Sequence, residues 1–478
     1  MSRQRVVVIG SGMAGARLAG EISERDPAGR VHVTVLGTER HPPYNRVLLT
    51  NVLAGQAAPA DIVMTDPGWY AERGYALRPG VTVTAVDRDA RRVLADDGSA
   101  TGYDALVLAT GADPALPPMD GLWTPGGGLR PGVFVFRTLD DCAALTGAAR
   151  RARHAVVIGG GVLGLETARG LAGRGMAVTI LHAAPRLMER QLDASAARIL
   201  QRTYAELGIE ARVNAFAVAV TGGERADGLL LDDGDRVPAD LVVVSCGIRP
   251  RTALAAGCGL EVDRGVVVGD DLRTSDPRIH AIGDCAQHKG TVGGLLEPAW
   301  EQARVLATRL AGPDPQAVYT GSPALTRLKA AGVDLVAMGE TLADPEDAEV
   351  VLFSDAHRST YKKLVIRDER LVGAVLLGDD ETNGTVTQIF DRGERVPADP
   401  KVLLFGGLAA SAPAGGPAAL ADEATVCRCN GVTMGDIGRA YLGGAADADA
   451  VAAVTRCGTG CGTCRGDVDR IVAGLAAG

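Results

Sequence analysis

Aromatic side chains are scarce in this chain, where Phe, Trp and Tyr together make up 4% of 478 residues. Any core must therefore be built mainly from Val, Leu, Ile and Ala. At 46% hydrophobic residues there is enough apolar surface for two to four domains. Long apolar runs are missing too: none approaches the roughly 18–20 residues that span a bilayer, so no membrane partner is expected. Positive charge is not in excess. The formal charge is −9 with both signs mixed along the chain, which argues against nucleic acid or an anionic membrane as a partner. The opening MSRQRVVVIGSG reaches a glycine turn too early for a secretory signal peptide, and a cytoplasmic location is expected. Cysteine is sparse over most of the length. Cys142, Cys246, Cys258 and Cys285 are scattered, with no C-x-x-C pair inside residues 1–320, and are expected to be small buried apolar residues. The other five of the nine cysteines gather beyond residue 425. An odd, clustered set points to a metal site in a reducing compartment rather than a disulfide framework.

Glycine is what the chain has in quantity, and part of it is patterned. RVVVIGSGMAGARLAGEI joins a short apolar strand (residues 6–9) to Gly10, Gly12 and Gly15 and then to a helical pattern. Such glycines allow a tight turn, close backbone approach to a pyrophosphate, and packing of helix on strand. The helix start then offers unpaired N–H groups to phosphate. VHVTVLG follows as the second strand, and Glu39 just beyond it is a candidate acceptor for ribose hydroxyls or, alternatively, a solvated loop carboxylate. The unit recurs. HAVVIGGGVLGLETARGLAGRGMAVTILH places Gly159, Gly161 and Gly164 after another apolar strand, with Glu166 two residues on. Each copy has a later strand ending in glycine, at Ala109-Thr110-Gly111 in the first and Ser245-Cys246-Gly247 in the second. A duplicated dinucleotide-binding unit implies two dinucleotides in one chain.

IHAIGDCAQH (residues 279–288) adds a strand closing on Gly283-Asp284. This order of motifs, over roughly residues 5–310, resembles the FAD-dependent pyridine nucleotide-disulfide reductase family. The resemblance implies FAD at the first glycine motif and NAD(P)H at the second, inserted one. On that basis Gly10, Gly12, Met13, Ala14, Gly15, Glu39, Val83, Ala109, Thr110, Gly111 and Asp284 are candidates for FAD. Gly159, Gly161, Gly164, Glu166 and Gly247 are candidates for the nicotinamide cofactor. The family's redox-active disulfide has no counterpart here, so electrons are expected to leave the flavin by another route. NADH against NADPH is left open by the residues: His182 stands where an acid would argue NAD, and Arg186 and Arg190 could pair with a 2′-phosphate or be surface arginines. The family comparison tilts the balance mildly to NADH.

Residues 406–424 are nearly all Ala, Gly, Pro and Ser and read as a flexible tether spanning roughly 25 Å. The segment beyond is too short to build a robust core unaided, and a metal site is the usual remedy. Cys427 and Cys429 are one residue apart, Cys461 and Cys464 two apart, with 31 residues between the pairs. C-x-C is a poor zinc spacing, though zinc stays open; four thiolates suit a [2Fe-2S] cluster by count. VCRCNGVTMGDI and TRCGTGCGTCRGDV resemble the bacterioferritin-associated ferredoxin type of [2Fe-2S] domain, which implies Cys427, Cys429, Cys461 and Cys464 as ligands. Cys457 falls outside that set, a spare thiol unless ligands exchange.

The expected fold class is α/β: two Rossmann-like dinucleotide-binding domains, one inserted in the other, a small α+β domain and a small helical iron–sulfur domain. The expected boundaries are 1–122 with 246–320 for FAD, 123–245 for NAD(P)H, 321–405 for the α+β domain, 406–424 for the linker and 425–478 for the cluster. Flavin reductase and ferredoxin domain together resemble the electron-transfer part of assimilatory nitrite and nitrate reductases. ERHPPYNRVLLTNVLAG, PRLMERQLD and YKKLVIRDERLVGAVLLGD carry that match. The first suggests Arg46 as a flavin contact, or else a loop arginine bonded to carbonyls; the third marks a domain that covers the flavin or forms a subunit interface. The resemblance implies an NAD(P)H-dependent electron carrier for a partner nitrate or nitrite reductase, with homo-oligomers compatible. Because the sequence stops just after the cluster motif, nitrite reduction by this polypeptide itself is not expected. Two alternatives remain at this level: a rubredoxin- or ferredoxin-reductase-like component serving an oxygenase, and a non-catalytic redox sensor.

Overall fold

The computed structural model describes residues 3–378, 382–405, 422, 424–427, 430–458 and 464–477. The chain forms two compact units, each built on a five-stranded parallel sheet. In the first unit (residues 1–46, 58–115 and 248–322) the order across the sheet is Ile279–Ala281, Ala105–Leu108, Gln4–Ile9, Val31–Gly37, Ala76–Pro79. The central strands are continuous apolar runs, VVVI and ALVL, as expected for parallel strands covered on both faces. Helices Met13–Arg25 and Leu296–Leu310 pack on each other, burying Leu18, Ile22, Ala303 and Leu306 in the core beneath them.

The second unit (residues 47–57, 116–247 and 323–478) repeats the plan. Its parallel order is Ile209–Val213, Ala177–His182, His154–Ile158, Leu241–Val244, Val133–Val135. In both units the strand feeding the glycine turn is central, flanked by its second strand on one side and the late glycine-ending strand on the other. Two dinucleotide-binding folds are thus present, the second inserted in the chain of the first. No described helix is long and apolar enough to cross a membrane.

An α+β segment of the second unit carries an antiparallel sheet in the order Leu325–Ala330, Val333–Gly339, Arg370–Leu377, Thr360–Arg367, Glu349–Asp355, with helix Asn383–Arg392 packed on it. The hairpin turn Asp368-Glu369 holds both residues left-handed (φ 50° and 59°), the geometry that matches strand twist across a two-residue loop. This sheet is tied to the dinucleotide-binding fold by Asp193. Its carboxylate caps helix Ala194–Glu206 through the N–H groups of Ser195 and Ala196, accepts from the Tyr361 hydroxyl at 2.5 Å, and lies 3.6 Å from Lys363 Nζ. Lys363, itself buried, also donates to the carbonyls of Thr341 and Ala343. Two stretches singled out in the sequence, PRLMERQLD and YKKLV, therefore meet in space.

The C-terminal segment pairs Thr425–Cys427 with Val432–Thr433 and then folds as helices Met434–Leu442, Ala448–Thr455 and Arg465–Ala477 around Ile437, Val451, Val468 and Ile471. Thr433 and Asp436 form a reciprocal cap on the first helix, and Asp447 caps the second. The tether expected at 406–424 falls almost wholly outside the described residues. One expectation is corrected: Cys142 and Cys285 are buried and Cys258 half-buried, but Cys246 is exposed. It lies past the end of strand Leu241–Val244, where the chain has left the sheet core.

Candidate functional site: two glycine cradles and a thiol cluster

In a parallel sheet the ligand crevice lies beyond the C-terminal ends of the strands. In the first unit those ends deliver Gly10, the Gly37–Glu39 turn, Ala109 and Gly283. Gly10 has φ +119°, and a Cβ there would stand 2.1 Å from the carbonyl oxygen of Ala109; one on Gly15 would stand 2.0 Å from that of Gly10. These two glycines permit the helix to sit against the strands. Gly12 differs: a Cβ would meet nothing closer than the Arg46 guanidinium at 3.9 Å, so the turn is open on that side. Helix Met13–Arg25 begins there with no side-chain cap, leaving its first N–H groups to an anion.

Glu39 and Arg46 form an ion pair, the Tyr44 hydroxyl donates to Glu39 at 2.5 Å, and the guanidinium stacks on the Tyr44 ring. The Arg46 N–H donates to Met13 Sδ at 3.3 Å, which holds this loop at the helix start. Bonds from Gly80 N–H to the Glu39 carbonyl and from Val81 N–H to that of Gly37 bring the segment leading to half-buried Val83 alongside. The late strand supplies Ala109, whose N–H donates to Ile9 O, and Gly111 at φ +72°. The Thr110 hydroxyl donates to Arg251 O at 3.0 Å. Gly283 (φ +74°) comes so close to Ala14 that a Cβ would lie 3.0 Å from its methyl, which places the Gly283-Asp284 turn at the helix start. Buried Gln302 accepts from Gly283 N–H at 2.7 Å. Nothing in the local sequence marks it, since the bond spans 19 residues.

The second cradle repeats these contacts. Gly159 has φ +118° and a Cβ would lie 2.1 Å from Ser245 O; one on Gly164 would lie 2.0 Å from Gly159 O; Gly161 has open space and uncapped helix Val162–Ala172 after it. Gly247, at φ +101°, follows the late strand. Glu166 is buried within the helix, and together with burial it pushes the Tyr204 hydroxyl well above its usual range, burial being the larger cause. His182 is spoken for on both sides. Its Nδ1 accepts from Gly160 N–H at 3.1 Å, and its Nε2 is 3.0 Å from Glu189, which assigns the proton to Nε2. Arg186 is committed to the carbonyls of Leu192 and Glu189, while Arg190 is exposed beside Glu189. Glu189, seven residues after His182, thus puts a carboxylate against the His182 ring.

In the C-terminal segment the Sγ atoms of Cys427, Cys457 and Cys464 all lie within 4.8 Å of one another, and all three residues are buried. Cys429 and Cys461, the other two expected ligands, lie outside the described residues. The sequence left Cys457 aside, yet the turn after helix Ala448–Thr455 points it into the group.

Residues 4–305 match the pyridine nucleotide-disulphide oxidoreductase family. The chain belongs to that family. Residues 324–392 match the rubredoxin NAD+ reductase C-terminal domain, and 425–474 a BFD-like [2Fe-2S] binding domain. Among curated relatives, nitrite reductase [NAD(P)H] of Bacillus subtilis (strain 168) is 37% identical over 99% of this chain, and the assimilatory nitrate reductase electron transfer subunit of the same organism 35% identical over 97%. The chain spans 58% and 59% of their respective lengths. In fold it resembles the crystal structure of the covalent putidaredoxin reductase–putidaredoxin complex, with TM-score 0.74, 27% identity, and 84% of this chain and 96% of that one covered. Membership of this oxidoreductase family implies FAD and NAD(P)H, and the C-terminal match implies a [2Fe-2S] cluster. The residues fit: each cradle has an open glycine face before an uncapped helix, and the cluster segment holds buried thiols at mutual ligand distance.

Proposed function

We propose that this protein takes electrons from NAD(P)H and delivers them to a partner oxidoreductase of nitrate or nitrite assimilation. The observation that carries this reading is co-occurrence. Two open glycine cradles and a buried thiol cluster share one chain in which Cys142, Cys246, Cys258 and Cys285 are scattered, and the curated relatives align along nearly all of it. When bound, FAD accepts a hydride and releases electrons singly, which a [2Fe-2S] cluster can carry one at a time.

The chain's own groups bind and orient. Gly12 and the following N–H groups would receive the FAD pyrophosphate, Glu39, held in place by Arg46, would accept from the ribose, and Asp284, next to the Gly283 that lies against Ala14, would serve the ribityl and phosphate region. Gly161 and its helix receive the nicotinamide dinucleotide. Glu189, held by His182, puts a carboxylate where the adenosine ribose is expected, which accepts hydroxyl hydrogens and repels a 2′-phosphate. That favours NADH over NADPH. No proton donor is required for this chemistry, so positioning is the chain's main contribution.

Anaerobic addition of NADH tests the reading: flavin absorbance falls first and the cluster bands follow. A cluster that stays oxidised while the flavin is reduced overturns it. A second reading, a reductase for a separate ferredoxin, is supported by the match at 324–392 and the likeness to putidaredoxin reductase. It requires that electron transfer to an added ferredoxin be unaffected by loss of the chain's own thiol cluster.

A further inference from the structure

Cys457 is fully buried, and its sulfur stands 4.0 Å from that of Cys464 and within 4.8 Å of that of Cys427. The turn that delivers it is held from two sides. Asn430, three residues beyond Cys427, donates its side-chain N–H to the carbonyl of Arg456 at 2.6 Å, and the Thr455 hydroxyl accepts from the Cys457 N–H at 3.1 Å. Arg456 takes the left-handed conformation (φ +65°) that turns the chain out of helix Ala448–Thr455 and the next side chain inward. The third sulfur of the group is therefore placed by the fold itself.

A [2Fe-2S] cluster takes four thiolates. On the ligand set that the ferredoxin resemblance implies, Cys427, Cys429, Cys461 and Cys464, a fifth sulfur has no iron to bind. Adding another negative charge in the same buried volume would be costly, whereas a neutral thiol can donate to the anionic sulfur beside it. Hydrogen bonds to cluster sulfurs stabilise the more negative, reduced state and so raise the reduction potential. We infer that Cys457 is a positioning residue that donates its S–H to the Cys464 thiolate and raises the potential of the cluster. The inference rests on the proposed assignment of a [2Fe-2S] cluster to this segment.

The test uses the full chain with Cys457→Ala and Cys457→Ser, read by iron and sulfide content, the EPR signal of the reduced cluster, and its midpoint potential. The expected result is two irons and two sulfides per chain in both variants. The midpoint should shift to lower potential in the alanine variant and return to the wild-type value or above it with serine, a stronger donor. An unchanged midpoint in Cys457→Ala overturns the inference, as does loss of the cluster from both variants, which would make Cys457 a ligand or an obligatory packing group. Absence of a [2Fe-2S] signal from the wild-type chain would instead overturn the underlying assignment, and a single EPR measurement separates that case from the others.

Discussion

His280 sits on strand Ile279–Ala281 at 4% exposure, and its Nδ1 has no hydrogen-bond partner among the described residues. Burial, with Arg273 adding in the same direction, lowers its pKa from 6.5 to about 4. The unfolded chain therefore binds a proton between those values that the native state refuses. Stability from this residue is complete above about pH 6.5 and declines as pH falls toward 4. At pH 5 the loss is about 2 kcal/mol, and urea titrations of His280→Gln should show a shallower acid dependence than wild type over that window. Glu189 belongs to the same scale. Replacing it by Gln keeps the hydrogen bond to His182 but removes the charge, and the ratio of kcat/KM for NADPH over NADH with a dye acceptor should rise roughly tenfold, about 1.4 kcal/mol. An unchanged ratio would place the ribose elsewhere.

Among the elements, the joint between helix Ala194–Glu206 and strand Thr360–Arg367 depends on Asp193. Burial opposes its charge, but the N–H of Ala196, the Tyr361 hydroxyl, Lys363 and the N–H of Ser195 hold its carboxyl below the usual range. Its contribution is present at neutral pH and lost as pH falls below the carboxylate range. Asp193→Ala removes the helix cap and leaves buried Lys363 and Tyr361 without this partner. It should lower stability by about 2–3 kcal/mol, while Tyr361→Phe costs about 1 kcal/mol, both read as denaturant midpoints of the same transition. The duplicated glycine turns were legible because strand, glycine turn and helix follow one another in order along the chain, although the close contacts of Gly10 and Gly159 are with the distant Ala109 and Ser245. The Asp193 joint was visible only as an unexplained likeness: its partners are 168 residues apart, and no local pattern encodes which strand an N-cap will meet.

For the molecule as a whole, the proposed relay gives the duplicated cradles and the thiol cluster separate tasks, so they should fail separately. Cys464→Ser should leave NADH reduction of the flavin and of a small dye near wild type. Transfer to a nitrate or nitrite reductase partner should fall at least a hundredfold in coupled assays. Full retention of that transfer would mean that electrons bypass the cluster.

The α/β class and the order of the motifs were legible in the sequence alone, because strand periodicity and glycine turns are short-range properties. Tertiary structure decided what depends on long-range placement. It set the Glu189 carboxylate against His182, exposed Cys246, buried Gln302 at Gly283, and brought Cys457 from outside the expected ligand set to 4.0 Å from Cys464. None of these follows from a strand, turn or helix pattern, because each depends on how the backbone turns and packs rather than on residue spacing.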